Sequence, residues 1–280
     1  MAATFTTLIE PQELAGLDPN SVDIFDCSFV LTDPAAGREI HSAAHIPGAR
    51  HADLETALSG PIIAGVTGRH PLPDREDFAA ELARWGIRSG RQVVAYDQGP
   101  GAHAARLWWM LRWQGLAEVA VLNGGFAAWR AAGQPVTADA TPLPPASRFE
   151  AATPLTRVVS ASELPAHGHT VLDAREHKRF IGAEEPIDPI AGHIPGAVCA
   201  AFTDNLAPDG RFRDKDELAE RFRGLGVDDA GNTICYCGSG VTAAHNILAM
   251  RHAGLPEPAL YPGSWSEWIV DPGRPVATGE

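Results

Sequence analysis

The stretch NTICYCGSGVTAAHNILAM, residues 232 to 250, places a cysteine where a strand gives way to a helix. The apolar run TICY is typical of a buried strand, and TAAHNILAM is typical of a helix. Cys237 follows the strand and opens the loop CGSGVTA, which contains two glycines. Glycines allow tight backbone turns in which successive N–H groups converge on one anion. The pattern predicts a nucleophilic cysteine held by backbone donors.

The surroundings of Cys237 favour the thiolate form of a cysteine. The N-terminus of the following helix adds positive potential to that of the loop amides. A cysteine in such a setting is a nucleophile, whereas one inside an apolar core is inert. Cys235 lies within the predicted strand and is interpreted as a core residue, as are Cys27 and Cys199. Such sparse cysteine usage indicates a reducing compartment, and we expect a cytoplasmic protein.

The segments that must hold this loop occur twice along the chain. HIPGAR at 45–50 recurs as HIPGAV at 193–198, and DREDFAAELARWGI at 74–87 recurs as DKDELAERFRGLGV at 214–227. Repeats in the same order indicate a duplicated domain. The second copy of the helical repeat begins Asp-x-x-Glu and the first begins Asp-x-x-Asp, so both are expected to start with a capping box.

The predicted division of the 280 residues follows from this duplication. An N-terminal domain is expected over 1–136 and a C-terminal catalytic domain over 157–280. The stretch 137–156 is rich in Pro, Ala and Thr and has linker composition. Aligning RQVVAYD with GNTICYC sets Asp97 opposite Cys237, so the first domain is predicted to be catalytically inactive.

Each half alternates short apolar strands, such as VDIFDC and TVLDA, with amphipathic helical segments. This alternation predicts an α/β protein of two tandem domains, each a mainly parallel sheet with helices on both faces. Ligands of such sheets bind at the carboxyl ends of the strands. Cys237 stands at such an end.

Composition and charge exclude several classes of protein. The formal net charge of -13 argues against nucleic acid or an anionic membrane as the main partner. No stretch approaches 18 apolar residues, so no membrane span is expected. The C-x-C spacing of Cys235 and Cys237 and the isolated pair His41 and His45 do not predict a metal site.

Several motifs together resemble the tandem-domain rhodanese sulfurtransferases over nearly the whole chain. They are the two HIPGA segments, LDAR at 172–175, GSWSEW and the loop CGSGVTA. The loop is most similar to that of the 3-mercaptopyruvate sulfurtransferases, since thiosulfate-preferring members usually have two basic residues where this chain has Gly238 and Ser239. The resemblance implies that the Cys237 thiolate takes sulfur from mercaptopyruvate, releases pyruvate and passes the sulfur from a persulfide to an acceptor. The implied acceptors are cyanide, a small thiol or thioredoxin, and no metal or organic cofactor is implied.

The resemblance also implies roles for polar residues outside the cysteine. Arg179 in HKRFIG matches the family arginine that binds the substrate carboxylate, and Arg175 either contacts substrate or organises the loop. Ser239 matches a serine that forms a proton relay with a histidine and an acid, here His70 in GRHPLP and Glu55 in HADLE. Glu55 stands where family members usually have Asp.

The remaining loop residues, Gly238, Gly240, Val241 and Thr242, are expected to bind the substrate and the sulfur. Thr242 is interpreted either as a hydrogen-bond donor to the cysteine or as a helix cap. The chain departs from the mercaptopyruvate enzymes at one point, because a second arginine usually follows an EP pair and this chain has Ile187 and Asp188 there. A thiosulfate:cyanide sulfurtransferase is therefore the alternative function.

Two other classes of protein share features with this sequence. Cysteine phosphatases share a similar sheet but need C-x5-R, and the sixth residue after Cys237 is Ala243. A non-catalytic sulfur-carrier or binding module is the other, and the intact loop at Cys237 argues against it.

Overall fold

The computed structural model describes residues 4–145, 148–164, 168–227 and 230–280. The chain folds into two compact units. Unit 1 comprises Met1–Gly60, Pro73–Leu155 and Pro208–Arg211, and unit 2 comprises Pro61–Leu72, Thr156–Ala207 and Phe212–Glu280. The short segment 61–72, which carries His70, therefore packs with the residues of the second half. Residues 146 and 147 of the predicted linker lie outside the described residues.

Unit 1 contains a five-stranded parallel sheet. Its strands are β1 (Leu8–Ile9), β2 (Val22–Asp26), β3 (Ala49–His51), β4 (Gln92–Tyr96) and β5 (Val119–Leu122), in the order β1-β5-β4-β2-β3. Its helices are α1 (Pro11–Ala15), α2 (Ala36–Ala43), α3 (Arg75–Arg84), α4 (Ala102–Trp113) and α5 (Gly125–Ala131).

Unit 2 repeats this plan with a four-stranded parallel sheet. Its strands are β6 (Thr170–Asp173), β7 (Val198–Cys199), β8 (Thr233–Tyr236) and β9 (Ala259–Leu260), in the order β7-β6-β8-β9. Its α-helices are α6 (His177–Phe180), α7 (Lys215–Gly224), α8 (Thr242–His252) and α9 (Ser264–Trp268). Single 3₁₀ turns occur at Ala161–Glu163, Phe202–Asn205 and Ala230–Asn232.

Most residues of the central strands are buried and apolar; the two aspartates of β2, Asp23 and Asp26, are buried beside Arg50 and His41. Every residue of β2, β5 and β8 is buried. A parallel strand buried on both sides must be covered on both faces of its sheet, and helices supply that cover. The predicted fold class is confirmed.

The strand order of unit 2 creates a crevice at the carboxyl edge of its sheet. From β6 the chain passes to β7 on one side and later to β8 on the other. The loops after β6 and β8 therefore leave in opposite directions, and ligands of doubly wound sheets bind at such a point. Asp173 ends β6, and Cys237 follows β8 directly.

The two HIPGA segments make the same contact in their own units. The N–H of Ile46 donates to the hydroxyl of Tyr96 at 3.2 Å, and the N–H of Ile194 donates to the hydroxyl of Tyr236 at 3.2 Å. Each tyrosine is the last residue of a central strand. The HIPGA motif therefore joins its loop to the strand that precedes Asp97 in unit 1 and Cys237 in unit 2. Its role is structural.

The two predicted capping boxes have different outcomes. The Asp214 side chain accepts a hydrogen bond from the Glu217 N–H at 2.9 Å and caps α7. Asp74 precedes α3 but makes no side-chain capping bond, so the prediction there was wrong. At α7 the structure shows the aspartate half of the predicted box and not the return bond from the Glu217 side chain.

Candidate active site

The loop between β8 and α8 presents the Cys237 sulfur to a backbone donor. Cys237 is buried, with 2% of its surface exposed. The N–H of Gly240 donates to Cys237 Sγ at 3.1 Å. Gly240 has a φ of 79°, in the left-handed region that glycine adopts without steric cost. This turn aims the amide back at the sulfur, as the two-glycine loop predicts.

The N-terminus of α9 supports the loop from the other side. The N–H of Trp265 donates to the carbonyl of Cys237 at 2.9 Å, and that of Ser266 donates to the carbonyl of Gly238 at 2.9 Å. The N–H of Cys237 itself donates to Ser264 Oγ at 3.0 Å. Cys237 and Gly238, the first two residues of the loop, thus make three hydrogen bonds with GSWSEW.

Ser264 adopts an unusual backbone conformation to make this contact. Its φ of 55° lies in the left-handed region, which costs a residue with a side chain about 1–2 kcal/mol. Gly125 occupies the same place in unit 1 and has a φ of 59°. Ser264 therefore keeps a glycine conformation and adds a hydroxyl, which also donates to the carbonyl of Tyr261 at 2.9 Å. Sequence reasoning missed this residue, although its alignment with Gly125 carried the signal.

His70 and Ser239 lie in contact. His70 Nδ1 is 2.8 Å from Ser239 Oγ, and both residues are buried. Because the segment 61–72 belongs to unit 2, this pair is built within one compact unit. Glu55 belongs to unit 1, where it is exposed and its N–H donates to Asp53 Oδ1 at 3.0 Å. Its part in a relay stays a prediction.

Two arginines lie over Gly238, the residue that follows Cys237. A Cβ atom built on Gly238 would come within 3.6 Å of Arg179 Nη1 and 2.9 Å of Arg69 Nη2. The Arg179 side chain is 15% exposed, so its guanidinium is within reach of a small anion. Arg179 was predicted from the sequence. Arg69 was missed, although it stands beside the predicted His70.

Arg175 is engaged by the protein itself. Its Nη2 donates to Asp173 Oδ2 at 2.6 Å and to the carbonyl of Gly192 at 2.7 Å. Its guanidinium also stacks over the Trp265 ring at 4.7 Å. Although burial opposes the charge, Asp173 and Glu185 raise the pKa of Arg175. These contacts favour the organising role among the two that the sequence left open.

Helix α8 begins at Thr242, and Val241 occupies its N-cap position. The interpretation of Thr242 as the cap was therefore wrong. Thr242 is instead the first helical residue, where its N–H is one of those left free by the helix geometry. The N-terminus of this eleven-residue helix lies next to the Cys237 loop. It adds positive potential near Cys237.

The other three cysteines are poor nucleophiles. Burial raises the pKa of Cys199 to about 11 and raises those of Cys27 and Cys235 further. For Cys27 the nearby Asp26 and Asp97 add to the effect of burial. All three thiols are protonated at neutral pH. Cys27 and Cys235 are buried as predicted, whereas Cys199 is only half-buried, so its interpretation as a core residue was wrong.

In the equivalent loop of unit 1, the Asp97 side chain occupies the place of the Cys237 thiol. Asp97 Oδ1 accepts the N–H groups of Gly99 at 3.1 Å and Gly101 at 2.9 Å. Asp97 Oδ2 accepts the N–H of His103 at 3.0 Å. The backbone nest is thus filled by an aspartate where unit 2 has a thiol, which supports the prediction that unit 1 is inactive.

Among the residues that the structure describes, no group of three or more His, Cys, Asp or Glu side chains gathers as a metal site would require. Nor does any helix in that part of the chain have the length and apolar character to cross a membrane.

Comparison with known protein families supports the division of the chain into two similar domains. The family model described as the rhodanese-like domain matches residues 10–132 and again residues 160–271. The chain belongs to the rhodanese family, as a tandem of two such domains.

Relatives within the family include named sulfurtransferases. The chain is 51% identical to a probable 3-mercaptopyruvate sulfurtransferase of Pseudomonas aeruginosa over 98% of each chain. It is 41% identical to a putative thiosulfate sulfurtransferase, SseB, of Mycobacterium tuberculosis, over 100% of this chain and 99% of that one. Among solved structures, the 3-mercaptopyruvate sulfotransferase SseA from Escherichia coli matches with a TM-score of 0.79 and 32% identity, covering 94% of this chain and 100% of that one.

Proposed function

We propose that this chain is a sulfurtransferase that moves a sulfane sulfur from 3-mercaptopyruvate, through a Cys237 persulfide, to a thiol or cyanide acceptor. The observation that carries the proposal is the placement of Cys237. Its sulfur faces the Gly240 amide, and the Arg179 guanidinium lies beside the next residue. The proposed nucleophile and the proposed carboxylate-binding group therefore lie beside adjacent residues of one loop.

The first half-reaction begins with binding of the donor carboxylate. The guanidinium of Arg179 receives the carboxylate, which directs the sulfur at the other end of the donor toward Cys237. The Cys237 thiolate attacks that sulfur, so a new S–S bond forms and the donor C–S bond breaks. The electron pair of the broken bond leaves with the three-carbon fragment as the enolate of pyruvate. One proton converts the enolate to pyruvate.

The His70 and Ser239 pair is placed to supply that proton. Histidine changes protonation near neutral pH, and Ser239 Oγ lies 2.8 Å from His70 Nδ1, between the imidazole and the loop. The hydroxyl can pass a proton to the enolate and recover one from the imidazole. The Gly240 N–H stabilises negative charge on Cys237 Sγ before the attack and after the second step.

The second half-reaction returns the enzyme to its starting state. A cyanide ion or a thiolate attacks the outer sulfur of the persulfide, and the S–S bond breaks with its electron pair on Cys237. We extend the proposal to thioredoxin as a protein acceptor. The four cysteines are free, and a thiol-based cycle suits a reducing compartment, so we place the enzyme in the cytoplasm.

Thiosulfate is the second candidate donor. The observation that favours it is the pair of guanidiniums beside Gly238, since such a pair binds any small oxyanion. A phosphatase activity is not favoured, because position 243 holds alanine where phosphatases need arginine.

A burst experiment tests the proposed mechanism. Wild-type enzyme mixed with 3-mercaptopyruvate and no acceptor should release one equivalent of pyruvate, and mass spectrometry of the digested protein should find one added sulfur atom on the peptide with Cys237. The Cys199→Ser variant is the control and should behave like wild type. Pyruvate release without sulfur on Cys237 would contradict the persulfide route.

A further inference from the structure

We infer that Arg69 is the second guanidinium of the donor-carboxylate site, and that Asp188 is an internal carboxylate that the donor must displace from it. This inference deepens the proposed function and rests on it. The sequence expectation was that the second carboxylate clamp is missing, because Ile187 and Asp188 stand where an arginine is usual.

The Asp188 carboxylate bridges the two arginines. Arg179 Nη2 donates to Asp188 Oδ2 at 3.0 Å, and Arg69 Nη1 donates to Asp188 Oδ1. The Asp188 side chain is only 3% exposed. One carboxylate oxygen on each of two guanidiniums is the arrangement that a carboxylic acid substrate would also seek.

Both guanidiniums lie where the donor must bind. Arg69 Nη2 and Arg179 Nη1 both approach the space beside Gly238, the residue after the nucleophile. A side chain at position 238 would collide with Arg69, so the glycine makes room for an arginine that comes from a different segment. The loop itself carries no cation, and Arg69 brings one to the same place.

The backbone fixes Arg69 in this position. Its N–H donates to Ser266 Oγ at 3.1 Å. At Gly68 an added Cβ would lie 2.5 Å from the same Oγ and 2.7 Å from the carbonyl of Gly263, so the segment is closely packed against GSWSEW. Arg69 Nε is buried and has no hydrogen-bond partner among the described residues, so the contact with Asp188 leaves one donor of this guanidinium unused.

The charges of the arginines and carboxylates around Arg179 explain why Asp188 must leave before the donor carboxylate binds. Three arginines, at positions 69, 175 and 179, face three carboxylates, at positions 173, 185 and 188, so the cluster has no formal net charge. A second carboxylate entering beside Asp188 would meet repulsion that the arginines no longer offset.

Of the carboxylates near Arg179, Asp188 is the one suited to give way. Glu185 is tied to the Arg179 guanidinium by three hydrogen bonds and also accepts the N–H groups of Ile187 and Asp188. These bonds outweigh burial and lower the pKa of Glu185. Burial instead raises the pKa of Asp188, even though both arginines oppose that change. Asp188 is therefore the carboxylate whose charged form is less well stabilised.

Pyruvate binding measured by calorimetry tests this inference without turnover. The test uses the full chain with Cys237→Ser, to which Asp188→Asn or Arg69→Gln is added. Asp188→Asn removes the competing charge and should tighten pyruvate binding severalfold, whereas Arg69→Gln should weaken it about tenfold, since a charge-assisted hydrogen bond is lost. Glu184→Gln, which neutralises an exposed carboxylate paired with Lys178 in the same segment, is the matched control and should leave binding unchanged.

Kinetics on the same substitutions in the active enzyme give an independent reading. Arg69→Gln should raise KM for 3-mercaptopyruvate with a much smaller effect on kcat, and Arg69→Lys should recover part of the loss because it restores charge without the planar fork. Unchanged or weaker pyruvate binding in a folded Asp188→Asn protein, or unchanged binding in Arg69→Gln, would overturn the inference. Wild type without mercaptopyruvate turnover would refute the proposed function, while the binding pattern would still decide the roles of Arg69 and Asp188.

Discussion

Replacing Ser264 separates the stabilising effect of its hydroxyl hydrogen bond from the cost of its backbone strain. Its hydroxyl accepts the N–H of Cys237 at 3.0 Å, and its φ of 55° places a side chain in the left-handed region. Ser264→Ala removes the hydroxyl and leaves a buried N–H without its partner, which costs about 1–3 kcal/mol. Ser264→Gly removes the same hydroxyl but relieves about 1–2 kcal/mol of backbone strain.

The two variants are therefore expected to differ in stability and to agree in activity. Ser264→Ala should lower the free energy of unfolding by about 1–3 kcal/mol, and Ser264→Gly should be more stable than Ser264→Ala by about 1 kcal/mol. Both should slow the pyruvate burst by a similar factor, because both release the backbone that aims Cys237.

Urea unfolding followed by circular dichroism, together with single-turnover pyruvate release, measures both effects. Ser162→Ala is the matched control, since that serine is exposed and lies far along the chain from the loop. A Ser264→Ala protein as stable and as active as wild type would refute the positioning role, and a Ser264→Gly protein less stable than Ser264→Ala would refute the argument from strain.

Two further substitutions test the ionic contacts behind each loop. Arg175→Met leaves the buried Asp173 without its cation, while Glu185 keeps Arg179, and it should lower the free energy of unfolding by about 3–5 kcal/mol, as thermal unfolding would show. An unchanged unfolding midpoint would contradict the organising role of Arg175. Asp97→Ala removes the acceptor of at least three loop amides in unit 1 and should destabilise the protein by about 2 kcal/mol or more while leaving the pyruvate burst intact. Loss of the burst in a folded Asp97→Ala protein would show that unit 1 contributes to catalysis.

The parts of the fold that local sequence dictates could be predicted. Continuous apolar runs bounded by loops predicted the central strands, and β8 indeed ends one residue before Cys237. The repeated HIPGA segments predicted the duplication. In the structure both copies accordingly make the same hydrogen bond with a tyrosine. The family resemblance led to His70 and Ser239, whose side chains lie in hydrogen-bond contact in the structure.

Other parts of the site depend on packing between distant segments and could not be predicted in this way. Arg69 reaches Asp188 across 119 positions of the chain, and no local pattern distinguishes it from a solvated surface arginine. A serine does not require the left-handed conformation that Ser264 adopts, so its alignment with Gly125 is the one sequence signal for it. Asp188 was noted only as a departure from the family, because its role depends on the arginines on either side.

The most direct test of the central claim compares kcat/KM for 3-mercaptopyruvate with kcat/KM for thiosulfate, each with cyanide as acceptor, in wild type, Cys237→Ser and Cys199→Ser. We expect the higher value with 3-mercaptopyruvate, loss of turnover with both donors in Cys237→Ser, and wild-type values in Cys199→Ser. Turnover of either donor by Cys237→Ser would contradict the assignment of Cys237 as the sulfur carrier. A higher kcat/KM for thiosulfate would replace 3-mercaptopyruvate as the proposed donor.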